Sequence, residues 1–195
     1  MADSDISPDL KAELRRAAIA RRDALPPAER MAAAQAIADR GLPVDLKPGV
    51  IVSGFSPLKS EISPLPLLRR LADAGAGLAL PVVVGRGQPL VMRAWSFGAP
   101  LDAGVWGIRQ PPADAAEVFP DILIVPLLAF DRRGHRIGYG AGYYDMTIAR
   151  LRAMKPITAI GIAFATQEIA AVPATPRDAR LDLVLTERGS IDFEV

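Results

Sequence analysis

Strand-like and helix-like segments alternate along this chain, and the alternation limits its fold more than any other feature. Short apolar runs predict core strands at Val50–Phe55, Leu78–Val84, Leu90–Trp95, Ile122–Leu128, Ile157–Ala163 and Leu183–Thr186, with an edge strand at Ile191–Phe193. Capping, proline and glycine signals predict helices from Ser7 to about Leu25, over Ala28–Arg40, from Ser63 until Gly75, and over Gly142–Met154. Strands that alternate with helices favour a mostly parallel sheet covered on both faces. We therefore expect a single domain over residues 1–195, with a three-layer α/β/α fold and a Rossmann-like central sheet.

The composition excludes several classes of protein. The chain has no cysteine and one histidine, His135, so disulfides, thiol nucleophiles and zinc sites built from cysteine or several histidines are excluded. Its net charge of +1 offers no overall attraction to a polyanion, and no nucleic-acid-binding motif appears. No stretch is long and apolar enough to span a bilayer, and the polar N-terminus lacks the apolar core of a signal peptide. We expect a cytoplasmic monomer that acts on a small molecule and binds neither nucleic acid nor membrane.

The segment Asp131–Asp145, DRRGHRIGYGAGYYD, points most directly to a function. It follows the most apolar predicted strand and contains three alternate glycines, which let the backbone come close to a ligand. A helix that begins in this segment favours an anion through its free N–H groups and its dipole. Arg136 adds a fixed positive charge, and Asp145 is a candidate ligand for a cation. The segment therefore predicts a site for a magnesium nucleotide.

The same segment has a second interpretation, because glycine-rich turns that bind nothing are common between a strand and a helix. It is not a Walker A loop, since no Gly-Lys-Ser/Thr follows. It is not the dinucleotide-binding fingerprint either, since the third glycine comes one position early for GxGxxG. If it binds a nucleotide, it does so by a less common type of loop.

The first predicted helix places Lys11, Arg15 and Arg22 on one face. A solvated basic face is the commoner meaning of such a pattern. In the functional interpretation, Lys11 and Arg15 reach into a phosphate site. The sequence leaves both interpretations open.

Further candidates lie in loops next to predicted strands. Glu61 follows the first strand and is either a surface acid near a helix start or a ligand contact. Trp106 is either a packing aromatic or a wall for a flat ring ligand. Asp178 and Asp182 precede the last core strand, and Asp182 is either a turn residue or a second acid near a metal ion.

Several short motifs follow one another along most of the chain. In order they are KxxLR at Lys11–Arg15, Pro57 with Glu61-Ile62, Leu80-Pro81, Trp106-Gly107-Ile108, VPLLAFDRRGHRIGYGAGYYD at Val125–Asp145, GIAF with Gln167, Val172-Pro173, Asp178 and Leu181-Asp182. Their order and spacing resemble the 5-formyltetrahydrofolate cyclo-ligase family, also called methenyltetrahydrofolate synthetase. The resemblance covers roughly residues 8–187, and Phe130–Asp145 carries most of it.

The resemblance implies an ATP- and magnesium-dependent enzyme. It would convert 5-formyltetrahydrofolate to 5,10-methenyltetrahydrofolate and release ADP and phosphate. Phosphorylation of the formyl oxygen turns a poor leaving group into phosphate, and N10 of the folate then attacks the formyl carbon. This chemistry needs alignment and charge neutralisation rather than a protein nucleophile.

The resemblance also implies roles at the nucleotide and metal sites. Lys11, Arg15 and Arg136 correspond to phosphate ligands, and Lys11, Arg136 and Tyr143 are expected to act in catalysis. Asp145 and Asp182 correspond to the magnesium-binding acids. The expected cradle of the triphosphate consists of Gly138, Tyr139, Gly140, Ala141, Gly142, Tyr143 and Tyr144.

The folate site is implied in the same way. Glu61 matches a position that contacts the pterin ring, where a carboxylate accepts hydrogen bonds from paired N–H donors. Phe55 and Trp106 are expected to line the folate pocket. Tyr143 lies between the glycine loop and the metal position and is expected to contact either ligand.

The chain departs from the family pattern at a few positions, and other functions stay open. Tyr139 and Ala141 stand where some members have basic residues, Met146 follows the YYD motif where bacterial members commonly have Arg, and Pro64 replaces a common Thr. One alternative is an ATP-dependent enzyme for another N-acyl substrate, since a fold does not fix a substrate. Another is a non-catalytic protein that binds folate or nucleotide.

Overall fold

The computed structural model describes residues 8–193, and the elements within that range are numbered here in chain order. The helices are α1 (Pro8–Asp23), α2 (Pro27–Arg40), α3 (Leu65–Asp73) and α4 (Tyr143–Met154). The strands are β1 (Ile51–Ser53), β2 (Gly77–Val82), β3 (Val91–Trp95), β4 (Asp102–Ala103), β5 (Arg109–Gln110), β6 (Ile122–Pro126), β7 (Ala129–Phe130), β8 (Arg136–Ile137), β9 (Thr158–Ile162), β10 (Leu183–Thr186) and β11 (Gly189–Asp192). Short 3₁₀ turns occur at Val105–Gly107 and Ala165–Gln167.

A central sheet of seven strands has the order β11-β10-β9-β6-β1-β2-β3. The five inner strands are parallel, whereas the edge strands β3 and β11 run antiparallel to their neighbours. The predicted mostly parallel α/β fold is therefore confirmed. The carboxyl ends of β1, β2, β6 and β9 share one edge of the sheet, which is where parallel sheets bind ligands.

The two faces of the sheet are covered by different helices because successive side chains of a strand point to opposite faces. In β6, Ile122 and Ile124 pack in the core that contains residues of α2 and α3. Leu123 and Val125, from the same strand, pack in the core that contains residues of α4. All four are at most 5% exposed, and burial of one such side chain contributes roughly 1.5–3 kcal/mol. The three layers expected from the sequence follow from this alternation.

Helix α1 takes a different position from the other three helices. Ala18 shares a buried cluster with Ala129 and Ile137 of the β7–β8 hairpin. The helix also contacts the 3₁₀ turn that follows β9. Consequently α1 lies at the edge of the sheet where the parallel strands end. The helix ends at Asp23 rather than near Leu25, and the predicted cap Ser7 lies outside the described residues.

The structure also contains short strands that were not predicted and one helix that begins later than predicted. The strand pairs β4–β5 and β7–β8 were not predicted, because two residues per strand are too few to show an alternation of apolar and polar residues. The helix predicted from Ser63 begins at Leu65. Among the described residues, no helix has the length and apolar character needed to cross a membrane.

Candidate active site

A cavity of about 690 Å³ opens where the parallel strands end. Phe55 after β1, Val83 after β2 and Pro126 at the end of β6 line it. This volume is typical of a small-molecule site. The predicted site residues that line it are Lys11, Arg15, Phe55, Glu61, Trp106, Arg136, Gly138, Tyr139, Gly140, Ala141, Gly142, Tyr143, Tyr144 and Asp145.

The glycine-rich loop connects the end of β8 to the start of α4 and borders the cavity. Gly140 and Gly142 have φ angles of 100° and 70°, in the left-handed region that side chains disfavour. Helix α4 begins at Tyr143, so its first N–H groups lack partners within the helix and lie at the positive end of its dipole. The expectation that a helix begins in this segment is confirmed, and the loop is suited to an anion.

Three basic side chains surround the loop, each fixed by contacts. Arg136 is almost fully buried; its Nη1 donates to Ala179 O at 2.5 Å and its Nη2 to Asp145 Oδ1 at 2.8 Å. Arg15 Nε donates to Gly138 O at 3.0 Å. Lys11 Nζ lies 2.9 Å from Asp178 Oδ2. Lys11 and Arg15 on the basic face of α1 therefore line the cavity, as expected if they reach a phosphate site.

Two carboxylates face this end of the cavity. Asp145 accepts from Arg136 and, at 3.0 Å, from the backbone N–H of Ala179. Asp178 directly precedes Ala179 and accepts from Lys11 and from the N–H and hydroxyl of Thr175. Burial raises the pKa of Asp178, but the donors of Thr175 and Lys11 outweigh it, so the pKa lies below its ordinary value. Asp178 is thus ionised, and Asp145 and Asp178 are the acids that could hold a cation here.

Asp182, which was expected to join Asp145 in a metal site, lies elsewhere in the structure. Asp182 does not line the cavity. Both of its carboxylate oxygens bind Arg152 at 2.9 Å, and Oδ2 also accepts from Ala159 N–H at 2.6 Å. The reason is topological, because Asp182 directly precedes β10 and pairs near the start of the parallel strand β9, away from the carboxyl edge. Asp178, four residues earlier, takes the position beside Asp145.

The other end of the cavity holds a partly buried carboxylate among apolar side chains. Glu61 Oε2 accepts from Leu58 N–H at 2.7 Å. Burial raises the pKa of Glu61 above its ordinary value, although the Leu58 N–H, the positive charge of Arg22 and a hydrogen bond from Tyr139 each oppose the rise. The apolar side chains that line the cavity include Phe55, Pro81, Val83, Leu90 and Ile108.

Two tyrosines and a tryptophan also line the cavity. The Trp106 and Tyr143 rings are 6.2 Å apart at a tilt of 56°. Trp106 is 68% exposed and has φ of 58°, a rare conformation for a bulky residue. Burial raises the pKa of Tyr144, so its hydroxyl stays protonated at neutral pH. The aromatic pair gives the cavity an aromatic wall.

Sequence reasoning missed one further residue, Arg22. It was predicted to share the basic face of α1, yet its side chain is only 1% exposed and lies behind Tyr139 and Ser60 rather than in solvent. The signal was present, since Arg22 lies on the same helix face as Lys11 and Arg15. Its burial depends on how α1 packs against the glycine loop.

Comparisons with known proteins agree with the geometry. The family described as 5-formyltetrahydrofolate cyclo-ligase matches residues 8–187. A Mycolicibacterium smegmatis protein named 5-formyltetrahydrofolate cyclo-ligase is 35% identical over 195 residues, which is 95% of this chain and 98% of that protein. The solved structure of 5,10-methenyltetrahydrofolate synthetase from Aquifex aeolicus matches with a TM-score of 0.78 and 28% identity, over 95% of this chain and 94% of that one. A synthetase of the same name from Mycoplasma pneumoniae matches with a TM-score of 0.71 over 91% and 98%, and at 22% identity it supports the fold alone.

The α/β fold, the cavity at its carboxyl edge and these likenesses define an enzyme of the ligase class. More particularly, the chain belongs to the 5-formyltetrahydrofolate cyclo-ligase family. The resemblance inferred from the motifs is confirmed.

Proposed function

We propose that this protein catalyses the ATP- and magnesium-dependent cyclisation of 5-formyltetrahydrofolate to 5,10-methenyltetrahydrofolate, with release of ADP and phosphate. The observation that carries the proposal is one cavity with two chemically different ends. A glycine loop with three fixed cations forms one end, and a partly buried carboxylate among apolar side chains forms the other. The names of the similar proteins support the same reaction.

The glycine-loop end suits the triphosphate. The first N–H groups of α4 and the backbone of Gly138–Gly142 offer donors, and Arg136, Arg15 and Lys11 offer charge. Arg136 is the most firmly held of the three, since it binds both Ala179 O and Asp145. A buried guanidinium of this kind stabilises charge that develops on a transferred phosphoryl group.

The two acids at this end fit magnesium. Mg²⁺ is commonly bound by one or two carboxylates together with substrate phosphates, and Asp145 and Asp178 supply two carboxylates beside the phosphate loop. When bound, the ion would neutralise phosphate charge. We propose Asp178 for the role that the sequence had suggested for Asp182.

The apolar end suits the pterin ring of the folate. The Glu61 carboxylate can accept hydrogen bonds from paired N–H donors of the ring, and Phe55 lies against the same end. The Trp106–Tyr143 pair supplies an aromatic surface for a flat ligand. The formyl group would then lie between this end and the γ-phosphate.

The reaction proceeds in two displacements in this arrangement. The formyl oxygen forms a bond to the γ-phosphorus while the bond between the γ-phosphorus and the β–γ bridging oxygen breaks, which releases ADP. N10 of the folate attacks the formyl carbon, the bond from carbon to the phosphorylated oxygen breaks, and phosphate leaves as N10 loses its proton. The protein aligns the γ-phosphate with the formyl oxygen, and Arg136 and Lys11 offset the developing charge.

A spectrophotometric assay tests the proposal. Purified protein is mixed with 5-formyltetrahydrofolate, ATP and magnesium, and the absorbance of the methenyl product is followed, with ATP or magnesium omitted as controls. We expect product only in the complete mixture. Folded protein that binds ATP but forms no product would reject the folate reaction, in favour of another N-acyl substrate or a non-catalytic binding role. The monomeric state and cytoplasmic location expected from the sequence stay predictions.

A further inference from the structure

Arg22 is a buried cation outside the set of phosphate ligands. Its side chain is 1% exposed, although it belongs to the amphipathic helix α1. Its Nε donates to Ser60 Oγ at 3.0 Å, and its Nη2 donates to Tyr139 Oη at 2.7 Å. Its Nη1 is buried and makes no hydrogen bond to any residue that the structure describes. A buried guanidinium with a free N–H is costly, so its retention needs a reason.

Each hydroxyl that Arg22 binds also faces a carboxylate. Ser60 Oγ donates its proton to Asp23 Oδ1. The Tyr139 hydroxyl faces the Glu61 carboxylate closely enough to oppose the rise in the pKa of Glu61 that burial causes. A hydroxyl has one proton and two lone pairs, so each can accept from Arg22 and donate to an acid at the same time. Arg22 therefore faces two carboxylates through two hydroxyl bridges.

The bridge through Tyr139 joins the two ends of the cavity. Tyr139 belongs to the glycine loop, between Gly138 and the left-handed Gly140. Glu61 belongs to the loop after β1, at the apolar end. Because Arg22 occupies one lone pair of the Tyr139 hydroxyl, the proton of that hydroxyl is directed to Glu61. The position of the glycine loop and the orientation of the Glu61 carboxylate are thus linked by one side chain.

We propose that Arg22 is a positioning residue which ties the glycine loop to Glu61 through Tyr139, so that nucleotide and folate each strengthen the binding of the other. The inference rests on the proposed function, which assigns phosphate to the loop and the pterin to Glu61. A nucleotide that orders the loop also fixes the Tyr139 phenol and with it the Glu61 carboxylate. The folate then binds a carboxylate that is already oriented, and by linkage the effect is reciprocal.

The test uses Tyr139→Phe, which removes the bridging hydroxyl and keeps the half-exposed ring, so that folding is little affected. The dissociation constant of 5-formyltetrahydrofolate is measured with and without a non-hydrolysable ATP analogue and magnesium. In the unaltered protein we expect binding to tighten about fivefold with the analogue, the size that one net hydrogen bond supports. In Tyr139→Phe we expect the ratio of the two constants to fall to about one.

Ser60→Ala is the matched control, because it removes the other hydroxyl that Arg22 binds and leaves the Tyr139 bridge in place. We expect it to lower the thermal unfolding midpoint while the ratio of dissociation constants stays as in the unaltered protein. An unchanged ratio in Tyr139→Phe, an equal loss in both variants, or a ratio of one in the unaltered protein overturns the inference. If the unaltered protein binds the analogue but no folate under any condition, the proposed function itself fails, and the inference falls with it.

Discussion

Arg136 and Asp145 form an ion pair of 2.8 Å that bridges the two ends of the glycine loop. Arg136 begins the loop from β8 and Asp145 lies in the first turn of α4. Because the guanidinium also donates to Ala179 O, its position is set before any ligand arrives. The same pair thus shapes the loop, directs a positive charge into the cavity and orients a candidate metal ligand.

We expect Arg136→Ala to raise the KM for ATP and to slow turnover. The change removes a charge-assisted contact to phosphate, worth about 1.5–3 kcal/mol, and so about tenfold or more in kcat/KM. Arg136→Lys keeps the charge but not the two-pronged geometry, and an intermediate loss is expected. Steady-state kinetics at varied ATP concentration checks both variants. If Arg136→Ala has the same KM and kcat as the unaltered protein, Arg136 does not belong to the phosphate site.

Asp178→Asn and Asp182→Asn form a matched pair that tests the proposed metal site. We expect Asp178→Asn to raise the magnesium concentration needed for half-maximal activity, because it removes one of two carboxylates beside the phosphate loop. Asp182→Asn weakens a partly exposed ion pair with Arg152, so a loss of about 1 kcal/mol or less of stability is expected.

Magnesium titrations of activity and thermal unfolding separate the two variants. Asp182→Asn should keep the magnesium dependence of the unaltered protein. A shifted magnesium dependence in Asp182→Asn with none in Asp178→Asn would restore the assignment first made from the sequence.

Much of the fold was predictable because its signals are local. The run Ile122–Leu128 is apolar at every position, as expected for a strand buried on both faces, and β6 lies at the middle of the sheet. The glycine loop was predictable for the same reason, since a left-handed backbone at Gly140 and Gly142 requires glycine. The pairing direction of β3 was not, because an antiparallel neighbour leaves no mark in the strand itself.

The candidate site was predicted less completely, because two of its features depend on packing between distant segments. Asp178 and Asp182 are equivalent in sequence as turn acids before β10, and only the course of that turn past Ala179 and Asp145 separates them. Arg22 shares a helix face that is solvated in most proteins, and it is buried here because α1 packs against the glycine loop. Local sequence patterns do not determine either contact.

Gly140→Ala should impair nucleotide binding beyond its cost in stability. A Cβ at Gly140 would lie 3.3 Å from Arg15 Cζ, in a backbone with φ of 100°, so the substitution strains the loop and displaces Arg15, a proposed phosphate ligand. Gly49→Ala is the control, because Gly49 also has a left-handed φ of 78° but meets no atom within 4 Å. Each should lose roughly 1–3 kcal/mol of stability.

Kinetics distinguish the two glycine variants. We expect the KM for ATP to rise several-fold in Gly140→Ala and to stay unchanged in Gly49→Ala, both measured well below their unfolding temperatures. Equal KM values in the two variants would mean that the loop around Gly140 does not hold the nucleotide.

The raised pKa of Glu61 predicts that folate binding strengthens as the pH rises. Burial causes the rise in the pKa of Glu61, and Arg22 of α1 and Tyr139 of the glycine loop oppose it. Tyr144 of α4 also faces the carboxylate. In the proposed complex the ionised carboxylate accepts hydrogen bonds from the pterin, and it forms only above a pKa that lies higher than the ordinary 4.5. We therefore expect the dissociation constant of 5-formyltetrahydrofolate to fall as the pH rises through that pKa.

Stability should respond in the opposite sense, and Glu61→Gln separates the two effects. Because the folded protein holds the Glu61 proton more tightly than the unfolded chain, this group's contribution to the free energy of unfolding falls as the pH rises from 4.5 through the raised pKa. Glu61→Gln removes that contribution, so its stability relative to the unaltered protein should increase with pH over this window. Its folate affinity should lose the pH dependence, and the ratio of the two proteins' dissociation constants cancels any titration of the ligand. A ratio that stays constant from about pH 5 to 8 would exclude Glu61 as the group whose ionisation controls folate binding.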